Sequence, residues 1–290
     1  MTAGRAKDLM PGSAARYLLC SDLDGTLIPN GEQPESAQAR PRLRQLVREA
    51  TVCLVYVTGR NQALVEQAVE QYGLPWPDAV IGDVGTRIWS TFGGNWQEWD
   101  QWRALISHDW DEHHAAQIIR LLEAQPDLQR QPESRQSAFK LSYYCTLPDL
   151  DGRCRQLRQT LAAQGLELTM VASIDELTDQ GLIDILPAQA SKQSAIEMLM
   201  SAWGFQHWNT VCAGDSGNDL PFLTGALQAV LVANASADVR ERALQLAADT
   251  GQSPNLYLAH GGFLGMNGHY AAGVLEGMAH YLPEARAWML

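Results

Sequence analysis

At 290 residues the chain is long enough for two domains, or for one domain that carries a large insertion. A net charge of −12 argues against nucleic acid and anionic membrane as partners, since both need a basic face; no apolar run approaches membrane-spanning length, and the N-terminus has no apolar signal core. An apolar fraction of 46%, with nine tryptophans and five cysteines lacking any CxxC pair, predicts a substantial core with free buried thiols in a reducing cytoplasm.

Residues 1–15 are small, polar and punctuated by Gly and Pro, and are expected to be disordered. Tyr17-Leu18-Leu19-Cys20 reads as a short buried strand that leads into Ser21-Asp22-Leu23-Asp24-Gly25-Thr26. Pro34–Ala50 reads as a helix, with Arg40, Arg42, Arg44 and Arg48 on a solvated face. Thr51–Val57 is a second buried strand. Thr58-Gly59-Arg60-Asn61 then turns the chain into a helix carrying Leu64, Val65, Ala68 and Val69, and Ala79-Val80-Ile81 forms a third strand. This alternation predicts a parallel sheet wound with helices.

Between residues 89 and 187 the order becomes less regular. A tryptophan-rich opening (Trp89, Trp96, Trp99, Trp102, Trp110) precedes a helix near Asp111–Ala124, a β-like run Ala138–Cys145 and a helix near Gly152–Gln164. Short strands near Leu166–Val171 and Leu182–Leu186 complete what reads as an α+β module. The first pattern resumes with a helix Ser191–Trp203, a strand Thr210–Ala213, a helix start near Asn218, a strand Ala229–Val232 and a last helix Tyr270–Leu282. The expected architecture is α/β: a Rossmann-like wound core (16–88 and 188–290) interrupted by an inserted lid (89–187).

Four stretches fall at strand carboxyl ends or helix amino ends. Asp22 and Asp24, two apart on an extended backbone, point the same way. At a buried strand end they would repel and lose hydration unless a cation or a shared proton lay between them. Thr58-Gly59 offers a hydroxyl and a bare backbone, Lys192 opens a helix, and Asp215 and Asp219 lie four apart in Gly214-Asp215-Ser216-Gly217-Asn218-Asp219. Several carboxylates, a lysine, a hydroxyl and Gly-rich turns suit a divalent cation such as Mg²⁺ together with a phosphate. Each piece has a plainer reading: Asp-Gly as a turn, Lys192 as a surface residue. Gly214–Asp219 is also similar to a serine-peptidase run and His260-Gly261-Gly262 to an esterase oxyanion loop, but no Gly-x-Ser-x-Gly elbow accompanies them. The Asp22 stretch lacks the later ligand positions of a calcium loop.

Taken in order, the four stretches resemble the haloacid dehalogenase superfamily of phosphatases, with the larger α+β cap between the second and third motifs. The closest likeness within it is to sucrose-phosphate phosphatases, carried by Ser21–Thr26, Tyr56-Val57-Thr58-Gly59-Arg60, Val84-Gly85-Thr86, Phe139-Lys140-Leu141-Ser142-Tyr143, Cys212–Asp219 and Gly273-Val274-Leu275-Glu276-Gly277. The resemblance implies Asp22 as nucleophile, Asp24 as general acid and then base, and Thr58 and Lys192 holding phosphoryl oxygens. It further implies Mg²⁺ at Asp22, Asp24 (through its main-chain carbonyl) and Asp215, with Asp219 in support, and substrate contacts from Gly59, Arg60, Lys140, Ser142 and Asn218. The expected reaction is hydrolysis of sucrose 6-phosphate to sucrose and phosphate through an aspartyl-phosphate. Mannosylfructose or glucosylglycerate phosphate are alternative substrates, and a non-catalytic partner of a sucrose-phosphate synthase is the alternative of another class. One departure stands out: relatives carry an acidic residue after the third-strand Gly-Thr, and here it is Arg87.

In the lid, Lys140, Ser142 and Tyr144 would share one strand face with Tyr143 on the other. The tryptophans have two readings, rings stacked on sugar or an apolar glue. His113 and His114 read as surface residues, and His269 and His280 have no assigned role.

Overall fold

Tyr17–Ser21 (β1) is apolar on both faces, and both faces are covered. The computed structural model describes residues 15–49, 51–108, 110–146, 149–175 and 180–290. Residues 1–14, nearly all of the segment expected to be disordered, lie outside them.

After β1 come Ala39–Leu46 (α1), Val52–Val57 (β2), Gln62–Tyr72 (α2), Ala79–Gly82 (β3), Arg87–Ser90 (β4), Gln97–Glu98 (β5) and Asp100–Ile106 (α3). A second module follows: Glu112–Glu123 (α4), Leu128–Arg130 (β6), Leu141–Cys145 (β7), Leu150–Ala162 (α5), Leu168–Asp175 (β8) and Gln180–Pro187 (β9). The chain then returns through Lys192–Trp203 (α6), Thr210–Gly214 (β10), Leu220–Leu223 (α7), Gln228–Leu231 (β11), Ala237–Asp249 (α8), Leu256–Leu258 (β12) and Ala271–Tyr281 (α9).

The main sheet runs β12-β11-β10-β1-β2-β3-β4-β5, parallel from β12 to β3 and antiparallel over the last two pairings. Parallel strands covered on both sides must be apolar on both, which is why β1, β2 and β10 read as unbroken apolar runs. Alternate residues divide between two cores. Leu19, Leu54, Tyr56 and Val211 face α1, α2 and α9, whereas Leu18, Cys53, Val55 and Cys212 face α3, α6, α7 and α8. All five cysteines are buried and free. The chain leaves β1 toward β2 and comes back on its other side at β10, so the crevice where an open α/β sheet binds ligands opens at the carboxyl ends of these strands.

Four expectations need correction. The first helix is not 34–50 but Ala39–Leu46, because Pro41 lacks an N–H and fits only in a first turn. Nor are its arginines simply solvated. Arg40 and Arg44 each donate to the carbonyls of Tyr72 and Gly73 at 2.7 Å, satisfying the end of α2. The lid does not begin at 89: Trp89 pairs with Val80 across β3–β4, and Trp99, Trp102 and Ile106 are buried in the main core, so 89–106 extends the main sheet. Four of the five clustered tryptophans are buried, and the indole N–H groups of Trp99, Trp102 and Trp110 donate to Ser90 Oγ, Gly85 O and Ala138 O at 2.8–3.1 Å. Trp96 packs edge-on against Trp89, and none of the five lines the crevice, so they are core and not sugar platforms. Last, the run Ala138–Cys145 is a strand only from Leu141; Lys140 closes a turn by bridging Ser137.

The second module is a four-stranded antiparallel sheet, β6-β7-β9-β8. Leu141, Tyr143, Cys145, Ile183 and Ile185 bury one face under α4 and α5. The alternate residues Ser142, Leu182 and Asp184 face the crevice.

Candidate active site

Strand register places the first carboxylates. Ser21 is level with Ala213, and the Asp22 N–H donates to the Ala213 carbonyl at 3.0 Å, so Asp22 and Asp215 leave adjacent strand ends side by side. The turn after β1 allows their approach. Gly25 holds φ +77°, and a Cβ there would overlap Asp215 Oδ2, while Thr26 Oγ1 donates to Asp215 Oδ1 at 2.7 Å.

Lys192 enters from the first turn of α6, which Ser191 caps through Ser194 N at 3.0 Å. Gly85, at φ +96°, leaves room for this helix start, because a side chain there would overlap Ser191. The buried Lys192 Nζ lies 2.8 Å from Asp22 Oδ1, 2.7 Å from Asp219 Oδ1 and 3.0 Å from Asn218 Oδ1. Asp219 turns its other oxygen to the N–H groups of Asp215 and Ser216, both at 3.2 Å, and to Ser216 Oγ at 3.1 Å. Both of its oxygens are thus committed, which makes it a brace for Lys192 and the 214–219 turn.

Burial pushes the Asp22 carboxyl up to about 7, with Lys192 opposing and Asp219 and Asp24 adding to the rise. Burial, then the charges of Asp22 and Asp219, raise Asp215 well above the carboxylate range. Desolvation pulls Lys192 down, but Asp219 and Asp22 outweigh it and hold the ammonium charged. The site is therefore short of positive charge. One oxygen each of Asp22, Asp215 and Asp219 lies within 4.8 Å of the others. Among the described residues, the second oxygens of Asp22 and Asp215 accept no hydrogen bond. A buried, hard-oxygen set with a charge deficit fits a divalent cation such as Mg²⁺.

Asp24 is half-exposed, and the Arg60 guanidinium forks onto it, Nε to Oδ2 at 2.8 Å and Nη2 to Oδ1 at 2.7 Å. Arg60, expected to reach substrate, lines the crevice, and its Nη1 also donates to the Leu64 carbonyl at 3.1 Å. Thr58 is fully buried, its Oγ1 accepting the Arg60 N–H at 3.2 Å, and Gly59 lines the crevice.

Above these groups is a cavity of about 550 Å³, roofed by Gln131, Arg135, Lys140, Ser142 and Asp184 of the second module. Ser142 Oγ bonds Asp184, and burial, against the pull of Lys140, raises the Asp184 carboxyl. Lys140 Nζ is buried, 3.6 Å from Asp83 Oδ1 across the cleft between the modules. Asp83 and Val84 both hold positive φ (+48° and +61°), pinned by bonds to the Arg60 and Thr58 carbonyls at 3.1 Å. The sequence reading missed Asp83 and Asp184; the available signal was a lone carboxylate in the apolar run Leu182–Leu186. Arg87 lies 3.8 Å from both Asp83 and Glu98, over the Trp89 ring, outside the cavity wall. An oxyanion loop at 260–262 is excluded, since Glu276 already accepts the N–H groups of His260 and Gly261 at 3.0 and 2.9 Å. The same carboxylate accepts Tyr257 Oη at 2.8 Å, so the Gly273–Gly277 run serves as a clamp on that loop.

A wound sheet whose first strand ends in Asp-x-Asp-Gly-Thr, with a lysine bridging the first and last carboxylates under an α+β lid, defines a phosphatase of the haloacid dehalogenase superfamily. The family model for sucrose-6F-phosphate phosphohydrolase matches residues 15–282, and the chain belongs to that family. It is 48% identical over 276 residues to a putative HAD-like hydrolase of Nitrosococcus oceani, covering 94% of this chain and 74% of that one. Identity to the probable sucrose-phosphatase 1 of Arabidopsis thaliana is 27% over 236 residues, 79% of this chain and 53% of that one, so the chain spans about half of the plant relative. A Synechocystis sucrose-phosphatase, solved with sucrose and phosphate, matches with a TM-score of 0.75 at 25% identity, over 92% of this chain and 98% of that one. The enzyme is a phosphoric monoester hydrolase of carbohydrate metabolism that acts on sugar phosphates. None of the described helices is long and apolar enough to cross a membrane.

Proposed function

We propose that the chain hydrolyses sucrose 6-phosphate to sucrose and phosphate in a Mg²⁺-dependent reaction through an aspartyl-phosphate. The observation that carries the mechanism is Lys192 Nζ held between Asp22 and Asp219 at 2.8 and 2.7 Å, which keeps the Asp22 carboxyl oriented at the mouth of the crevice. Asp22 attacks phosphorus, and Asp24 protonates the departing sugar oxygen. Asp24 then takes a proton from the water that cleaves the phosphoryl–Asp22 bond. Lys192, Thr58 and the main chain at Gly59 hold phosphoryl oxygens as charge develops on them, and Asn218 borders the same oxygens. Asp22, Asp215 and the Asp24 carbonyl would hold Mg²⁺, which when bound would neutralise phosphoryl charge. Lys140, Ser142 and Asp184 roof the cavity at the height of a sugar, and the cavity is large enough for a disaccharide.

The division of labour follows the two modules. The main sheet (15–106 and 188–290) supplies the chemistry, and the inserted sheet (110–187) selects the substrate. Five buried free thiols suit a cytoplasmic enzyme, and a sucrose-phosphate synthase is the partner that would supply its substrate. Two experiments test this reading. Asp22→Asn should abolish phosphate release while the protein stays folded. Across sucrose 6-phosphate, mannosylfructose phosphate and glucosylglycerate phosphate, the first should give the highest kcat/KM, and a reversed order assigns the enzyme to another glycoside phosphate.

A further inference from the structure

We infer that Arg60 is a positioning residue for Asp24, holding that carboxylate as the base of the second half-reaction, and that it does not contact the substrate. This rests on the aspartyl-phosphate mechanism proposed above and deepens it.

Arg60 borders the crevice, but all three of its guanidinium nitrogens donate within the protein. Nε and Nη2 fork onto the two oxygens of Asp24, and Nη1 donates to the Leu64 carbonyl at 3.1 Å in the first turn of α2. Its backbone is fixed on both sides: the N–H donates to Thr58 Oγ1 at 3.2 Å, and the carbonyl accepts Asp83 N at 3.1 Å. Asn61 caps α2 by accepting Leu64 N at 3.1 Å, so the platform that receives Nη1 is itself rigid. A planar fork matched to a carboxylate sets direction as well as charge, which a lysine at the same place would not do.

The pair also has a place in the reaction. In the first half-reaction Asp22 Oδ bonds to phosphorus, the phosphorus–oxygen bond to the sugar breaks, and the proton of the Asp24 carboxylic acid passes to the leaving oxygen. Asp24 is then a carboxylate, the state that a bidentate guanidinium grips. In the second, water oxygen bonds to phosphorus, its proton passes to Asp24, and the phosphoryl–Asp22 bond breaks to release phosphate and restore the Asp22 carboxylate. Arg60 therefore stabilises and aims the form of Asp24 that must accept the proton from water.

The test is pre-steady-state hydrolysis of p-nitrophenyl phosphate by wild type, Arg60→Gln and Arg60→Lys, each with Mg²⁺. The aryl leaving group departs without a proton, so the first step does not need Asp24 and the readout does not depend on which sugar is natural. Arg60→Gln should slow dephosphorylation by roughly 10–100-fold, a part of the 10²–10⁴ that a positioned base supplies. It should release about one equivalent of p-nitrophenolate per site in a burst, leave a phosphoryl adduct on Asp22 in acid-quenched protein, and keep KM unchanged or lower. Arg60→Lys should show the same burst with a smaller slowing, and carries the readout if Arg60→Gln does not fold. A raised KM with no burst in the folded variants would make Arg60 a substrate ligand, and unchanged kinetics would make it a surface ion pair; either overturns the inference. A wild type that hydrolyses no phosphate ester instead overturns the phosphatase reading beneath it.

Discussion

Replacing Lys192 by Met keeps most of the buried stem and removes the charge that two buried carboxylates share. The lysine sits in the first turn of α6, the end of a helix that disfavours a cation, so Asp22 and Asp219 hold it there against the helix dipole. Removing one partner of a buried ion pair costs about 3–5 kcal/mol. An independent bound comes from protonation. A carboxyl with an ordinary value near 4 can be kept neutral at pH 7 for about 1.4 kcal/mol per pH unit, or about 4 kcal/mol. The two figures agree. The folded variant would bind a proton that the unfolded chain releases, so its stability should fall as pH rises above about 4. The destabilisation should then be about 4 kcal/mol at pH 7 and about 1 kcal/mol at pH 4.5, read from urea unfolding in the presence of a chelator. Adding Asp219→Asn to the same chain should recover most of the loss at pH 7, because the amide oxygen can still accept the Asp215 and Ser216 N–H groups. A loss below about 1 kcal/mol at pH 7, or one that does not change with pH, would refute the charge argument.

Three further outcomes follow from the same geometry. In the metal-free protein Asp22 titrates near 7 against an ordinary 3.8, so its contribution to stability is complete below about pH 4 and lost as pH rises through 7. Mg²⁺ should therefore displace at least one proton and bind at least about tenfold more weakly per unit of pH below 7; calorimetry in buffers of different ionisation enthalpy reads this, and an absence of proton release at pH 6 would contradict it. Gly25→Ala forces a side chain into a left-handed turn against Asp215, and should lower kcat by at least about 100-fold, the scale of a misplaced catalytic group, with the circular dichroism spectrum unchanged. Trp102→Phe leaves the Gly85 carbonyl without its donor and a small void beneath β4, costing about 1–3 kcal/mol in unfolding while KM stays constant, since this ring is core.

The wound sheet was legible because strands buried on both faces write themselves as unbroken apolar runs, and Asn61, Gly73 and Ser191 mark helix ends with the expected chemistry. The lid boundary was misread for a specific reason. Once the chain turns back at Gly82–Thr86 the next strands are antiparallel, and the strand–helix rhythm stops although the sheet does not. A change of rhythm marks a change of topology before it marks a change of domain. The helix Ala237–Asp249 carries a weak apolar signal, because its buried residues are only Ala243 and Ala247, with Val239 packed part-buried beside the core.

The site divides along the same line. Asp22, Thr58, Lys192 and Asp215 could be found because each follows a strand or opens a helix, and an open α/β sheet brings strand ends together whatever their separation in sequence. What the sequence could not carry was how their charges pair. Asp24 and Arg60 lie 36 positions apart on neighbouring strand ends, and only side-chain direction decides whether the guanidinium grips a carboxylate or waits for a substrate. Lys140 and Asp83 are a harder case, since their 3.6 Å approach depends on how the inserted sheet sits over the first, with Asp83 held in a left-handed turn by carbonyls of residues 58 and 60. Strand-end chemistry is thus written locally, whereas the choice of partner for each charge is made by the cleft. The residues that tune the reaction are for that reason the ones a motif leaves out.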